Sequence, residues 1–267
     1  MPARPRRRSD AASSGGAHRP IAIHSGGAIT RPLKTSEAIA RDVVHDIVAA
    51  GLQPGDGLPP EAAMLEQYKV SRESLREGLR LLEVQGLITI RRGPGGGPVV
   101  GTVDPANLGR TSTLFYHLAG ATYSELFEAW VLAESLLAGR AARHPDAALR
   151  RERMQPHLGT STGDEPLEEY VQSHAAFHVA VGSLARNRVL ELSLLTAGLI
   201  VSHHVPVAYD PRTLREAMEQ EHHDIGAAIM AGRAARAEAL MRQHIQRIAD
   251  ITTEALGPHV EDYIEWD

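Results

Sequence analysis

Val70-Ser71-Arg72-Glu73-Ser74-Leu75-Arg76-Glu77-Gly78-Leu79-Arg80-Leu81-Leu82 is the stretch from which the rest of the chain is read. Ser71 is a residue type that accepts a hydrogen bond from the free amides of a helix's first turn, so a helix is expected to begin there. Leu75, Leu79, Leu82 and Val84 follow at the spacing of one buried helical face, and Gly86 ends the pattern. Arg72 and Arg76 stand four residues apart and therefore share a face of that helix.

Upstream, order is expected from Leu33. Ile39, Val43, Val44, Ile47 and Val48 give Ser36–Ala50 an amphipathic helical pattern that Gly51 stops. Gln53-Pro54-Gly55-Asp56-Gly57 is turn chemistry. Pro59-Pro60-Glu61 then opens a short helix through about Tyr68, with proline near its first position. Downstream, Leu87–Arg91 and Pro98–Val103 read as short strands around the tip Gly93-Pro94-Gly95-Gly96-Gly97. Three helices and then a hairpin outline a winged helix-turn-helix over residues 33–103.

Past Asp104 the strand signals vanish. Helical patterns run over 106–118, 123–143, 145–158, 165–184, 187–205, 211–231 and 233–256, separated by Gly, Pro and polar breaks. Short connections between consecutive helices predict an antiparallel bundle over 104–257. Val99–Asp104 reads as the linker, 258–267 as a C-terminal tail, and there is no internal repeat. The fold class is mainly α, with a winged helix-turn-helix followed by an all-α bundle.

The 267 residues suffice for two domains, and the absence of cysteine leaves histidine and carboxylates as the metal ligands available. No run of 18 apolar residues suggests a membrane span, and the arginines near the start have no apolar run behind them. The expectation is a cytoplasmic protein without a membrane partner. A net charge of −5 hides an asymmetry. Residues 1–32 carry six Arg and one acid, residues 33–103 are near neutral, and eleven of fourteen His lie beyond residue 103 in an acidic region. That order suits a nucleic-acid contact towards the N-terminal side. Residues 1–32 lack periodicity and read as a disordered basic tail, either simply solvated or a loose arm for phosphates.

In a helix-turn-helix the second helix of the motif enters the major groove with its N-terminal residues at the base edges. Arg72 and Arg76 have the side chain that most often reads guanine, while Ser71 and Ser74 are candidates for phosphate contacts at the helix N-terminus. Read alone, the same residues also describe an exposed helix start. Leu52-Gln53-Pro54-Gly55-Asp56, Leu58-Pro59-Pro60-Glu61, the stretch quoted first, and Gly86-Leu87-Ile88 together resemble the GntR family of bacterial regulators over about Leu33–Val103. The resemblance implies binding to a double-stranded DNA operator, with Arg72 and Arg76 in the major groove and Arg92-Gly93 of the wing tip in the minor groove. Ala62 stands where the family usually has Arg, which alters the expected base preference.

His174 and His178 are spaced to place two imidazoles on one helical face, and His222 and His244 lie in other helical segments able to converge on them. The bland reading is core or surface histidines. His174-Ala175-Ala176-Phe177-His178 with Asn187, then Glu221-His222 with Ile225, Ala228 and Ile229, and Met241 with His244-Ile245 resemble the FCD ligand-binding domain of FadR-type GntR regulators over about 105–255. The resemblance implies one divalent ion held by His174, His178, His222 and His244, and excludes His223. His174 replaces the family's usual Asp, giving four imidazoles, a set suited to zinc or nickel. Four neutral ligands leave the ion's charge uncompensated and favour an anionic ligand from the effector.

Trp130 stands where the family's first sensor helix supplies an effector-binding Arg. With Glu134 it marks an effector pocket suited to an apolar or aromatic ligand, organic acids remaining among the candidates; core packing is the other reading of Trp130. The expected function is transcription regulation, specifically repression of a small-metabolite pathway by a homodimer responding to a small-molecule effector, with no enzymatic activity. The alternative is a metal-dependent hydrolase with an appended DNA-binding module.

Overall fold

The computed structural model describes residues 21, 32–93, 95–159, 166–204 and 211–266. The expected tail 1–32 therefore lies outside the described residues except for Ile21, whose amide donates to the Leu118 carbonyl, and Pro32. Likewise Pro94 of the wing tip lies outside them.

The N-terminal unit contains α1 (Thr35–Ala49), α2 (Glu61–Tyr68), α3 (Arg72–Val84), β1 (Ile88–Arg91) and β2 (Gly97–Val100). Its core is Ile39, Val43, Met64, Leu75, Leu79, Leu82 and Ile88, so each helix gives its apolar stripe to one cluster. Gly78 lets α1 and α3 approach, because a Cβ there would stand 2.9 Å from Ile39 Cγ2. Ser71 caps α3 by accepting from the Ser74 amide at 3.1 Å. The hairpin is antiparallel, pairing Ile88 with Val100 and Arg91 with Gly97.

Some sequence expectations shift here. Val48 and Val84 were expected on buried faces, but they are exposed at the ends of α1 and α3, beyond the reach of the helix each packs against. The second strand ends at Val100, so the connection is 101–104, and Val99 and Val100 belong to the hairpin. The Gln53–Gly57 turn also pairs with the hairpin: Gly55 N donates to Val100 O and Val100 N donates to Asp56 O, both at 2.9 Å.

The helical unit comprises α4 (Pro105–Ala119), α5 (Tyr123–Ala142), α6 (Ala147–Met154), α7 (Leu167–Leu184), α8 (Arg188–His204), α9 (Arg215–Met230) and α10 (Ala234–Leu256). Short 3-10 turns at Gln155–His157, Pro211–Leu214 and Gly257–Glu261 extend α6, precede α9 and follow α10. These helices match the predicted succession closely. Asp104 and Thr122 cap α4 and α5, the latter through a reciprocal box with Glu125.

α5 is the axis of this unit. It packs against α7, α8, α9 and α10, which is why Leu137, Ala138 and Ala141 are all fully buried and its apolar residues show no single stripe. Gly139 admits α10 closely, since a Cβ there would meet Glu238 Oε2 at 2.8 Å. The segment expected to be a tail is instead docked on the bundle. Ile264 is buried, its amide donates to Ala121 O at 2.9 Å, and Asp262 O accepts from Tyr123 N. Where the two units meet, Gly86 has φ of +71° and a Cβ there would strike the Asn107 amide of α4.

Among the described residues no helix is long and apolar enough to cross a membrane.

Candidate metal centre and DNA-reading face

Three helices deliver four imidazoles to one point inside the bundle. His174 and His178 come from successive turns of α7, His222 from α9 and His244 from α10. One ring nitrogen from each lies within 4.8 Å of the others. His222 Nε2 and His244 Nε2 are 3.2 Å apart, and the His174 and His222 ring centroids are 4.4 Å apart. Phe177 stacks on His222 at 3.9 Å with an interplanar angle of 13°, fixing that ring from its apolar side. His178, His222 and His244 are buried and His174 is partly so. The excluded neighbour His223 points away, exposed, towards Asp224.

Two carboxylates stand behind these rings. Glu221 Oε2 accepts from His244 Nδ1 at 2.8 Å, and its other oxygen pairs with Arg247 at 2.8 Å. Glu134, on α5, places Oε1 3.0 Å from His178 Nδ1 and is 2% exposed. Its Oε2 is buried without a hydrogen-bond partner.

Burial sets the charge state. Loss of solvation holds the imidazoles of His174 and His222 well below the ordinary range and lowers that of His244, and neighbouring rings push the same way. For His244 the hydrogen bond to Glu221 opposes that shift. Neutral imidazoles are the ligand form, and Glu221 fixes His244 as the tautomer whose Nε2 lone pair points at His222. Four ring nitrogens gathered around one point, with Glu221 holding the His244 ring from behind, could hold a divalent metal ion.

Of the expected effector residues, Glu134 lies against the histidines rather than apart from them. Trp130, one turn earlier on α5, is half-buried between the two apolar clusters of the bundle, near Gly198 of α8. Its packing role is therefore visible. Glu221 escaped the sequence reading as a functional group, since adjacency to His222 gives no spacing signal and its partner is His244 on another helix.

On the N-terminal unit, the side chains of Arg72 and Arg76 are 75% and 68% exposed and project from one face of α3. Both reach Glu61 at the start of α2, at 3.7 and 3.4 Å. That carboxylate brackets the two guanidinium groups, and nothing in the sequence spacing announced it. Ser71 and Ser74 bond each other through their hydroxyls at 2.9 Å, completing the cap of α3. Arg92 and Gly93 sit at the hairpin tip, where Gly93 has φ of +98° and Gly96 leaves no room for a Cβ against Arg91 O. A groove lined by Glu61, Arg72, Arg76, Arg80 and residues 95–98 of the hairpin lies between α3 and the hairpin.

Comparison with known proteins agrees with both halves. Residues 35–96 match the family described as bacterial regulatory proteins, gntR family, and residues 125–247 match the FCD domain. The chain is 26% identical over 218 residues to the HTH-type transcriptional regulator LutR of Bacillus subtilis strain 168, covering 79% of this chain and 97% of that protein. It is also 26% identical over 228 residues to the Uxu operon transcriptional regulator of Escherichia coli K12, covering 82% and 85%. The solved structure of Streptococcus agalactiae GntR superposes with a TM-score of 0.58 at 20% identity over 80% of this chain and 99% of that one, a likeness of fold. These named relatives are regulators, not enzymes, so the hydrolase alternative is set aside.

Proposed function

Because residues 35–96 match the gntR family of bacterial regulators and residues 125–247 the FCD domain, we propose that the chain is an operator-binding repressor whose DNA affinity is set by a small molecule bound beside a zinc- or nickel-class ion in its helical domain. The observation that carries this reading is the convergence of His174, His178, His222 and His244 within 4.8 Å inside the domain expected to sense the effector. An ion at that point would tie α7, α9 and α10 together and offer an electrophilic position to an effector's donor atom. Glu221 holds His244 for that task, and Phe177 keeps water from one side of His222.

The reading helix α3 would enter the major groove with Arg72 and Arg76 leading, while Arg92 and Gly93 approach the minor groove. In a cytoplasmic homodimer, two such readers would span a near-palindromic operator. The effector regulates only if it binds one arrangement of the two readers more tightly than another, since equal affinity shifts nothing. Trp130 offers an apolar wall one turn from Glu134, which suits an organic acid with an apolar or aromatic body.

The test is selection of bound duplexes from random DNA, followed by affinity measurements with zinc-loaded and chelator-treated protein across a panel of organic acids. A preferred sequence bound at least about 10³-fold more tightly than random duplex is expected. One class of acid should change that affinity in loaded protein alone. Absence of any sequence preference, or acids that bind without altering DNA affinity, would contradict the proposal.

A further inference from the structure

The four ligand nitrogens proposed above come from neutral rings, so a divalent ion among them would place two positive charges in a low-dielectric interior. Such a charge is expensive to bury unless something compensates it. None of the four converging side chains supplies a carboxylate of its own. Two carboxylates lie within reach. Glu221 accepts from His244 Nδ1, and Glu134 faces His178 Nδ1 at 3.0 Å.

Resting on the metal reading, we propose that Glu134 and Glu221 are the positioning residues that balance the ion's charge, each acting from behind one imidazole. This reassigns Glu134 from the effector to the metal. The assignment explains an otherwise costly feature of the core. Glu134 is almost wholly buried, and among the described residues its ion-pair partner is His178, with no Lys or Arg within 4.0 Å of its carboxylate. Its second oxygen has no hydrogen-bond partner, and neither does His178 Nδ1, so the two groups meet at 3.0 Å without a made hydrogen bond. A buried carboxylate left in that state is a burden on the fold unless a cation stands nearby. Glu221 is more exposed and shares its charge with Arg247, so it contributes the smaller part. The Glu221 hydrogen bond on the far nitrogen also makes His244 a stronger donor and fixes its orientation. The consequence is that the site can hold its ion before any effector donates an anionic group to it.

The experiment compares the full chain with E134Q and E221Q, measuring zinc affinity by chelator competition and thermal stability with and without zinc. E134Q should lose about 10–100-fold in zinc affinity while its metal-free melting temperature stays level or rises. A residue that merely packed would lower the metal-free melting temperature and leave zinc affinity alone. E221Q, at a more exposed position, should weaken zinc by a smaller factor, and it serves if E134Q does not fold. Zinc affinity within twofold of the parent in E134Q, or in E221Q where that variant is the one that folds, overturns the inference and leaves the metal reading intact. A parent chain that takes up no ion overturns both.

Discussion

His222 Nε2 and His244 Nε2 stand 3.2 Å apart although 22 residues separate them, because the α9–α10 turn folds one helix back on the other. With His244 Nδ1 given to Glu221, two ring nitrogens face one another across a space that His174 and His178 also border. Replacing His244 by Ala removes one donor and leaves Glu221 without that partner. Metal should be absent from His244→Ala and from His178→Ala, while the N-terminal reader, whose core shares no residue with the bundle, still folds and binds DNA. Elemental analysis checks it: a variant with full metal content refutes the ligand choice.

Acid should destabilise the metal-free protein. The folded-state values of His174, His222 and His244 lie below the ordinary 6.5, chiefly through burial, so the unfolded chain binds more protons as pH falls. Stability is then complete above about pH 6.5 and lost below it, by at most about 1.4 kcal/mol per pH unit for each imidazole. Thermal melts between pH 7.5 and 5 read this directly. A melting temperature that holds constant or rises on acidification contradicts it.

At the DNA face, Arg72→Ala should weaken the operator by about 1–3 kcal/mol and relax preference at one base pair. Glu61→Ala should act differently. It removes a negative charge facing the groove and frees both guanidinium groups, so affinity for random duplex should rise while discrimination falls. Equal operator affinity of Arg72→Ala and the parent would remove Arg72 from the reading set.

Ile264, in the segment read from sequence as a tail, is fully buried against the bundle. Ile264→Ala should cost about 2–5 kcal/mol in the helical unit's unfolding. An unchanged melting curve would mean that the C-terminal segment does not hold there.

Much of the fold was legible because its punctuation is local. Ser71, Gly51 and Gly86 mark helix ends by the chemistry of the first and last turns, and the glycines of 93–97 mark a tight tip. What escaped depends on partners distant in sequence. Val48 and Val84 carry the right period, yet a helix end buries only what a neighbour covers. Ile264 sits beyond the last helical run, where nothing local announces the contact with Ala121. The histidines were found as a set through their spacing and resemblance. The carboxylates behind them were not, because Glu221 meets His244 and Glu61 meets Arg76 across helix pairs that only the folded chain brings together.

Everything proposed for the helical domain depends on its being built around one ion. Elemental mass spectrometry on protein purified without a histidine tag measures it. About one zinc- or nickel-class ion per chain is the result predicted. No ion, even after reconstitution with zinc and with nickel, would contradict the account and leave the four histidines as core.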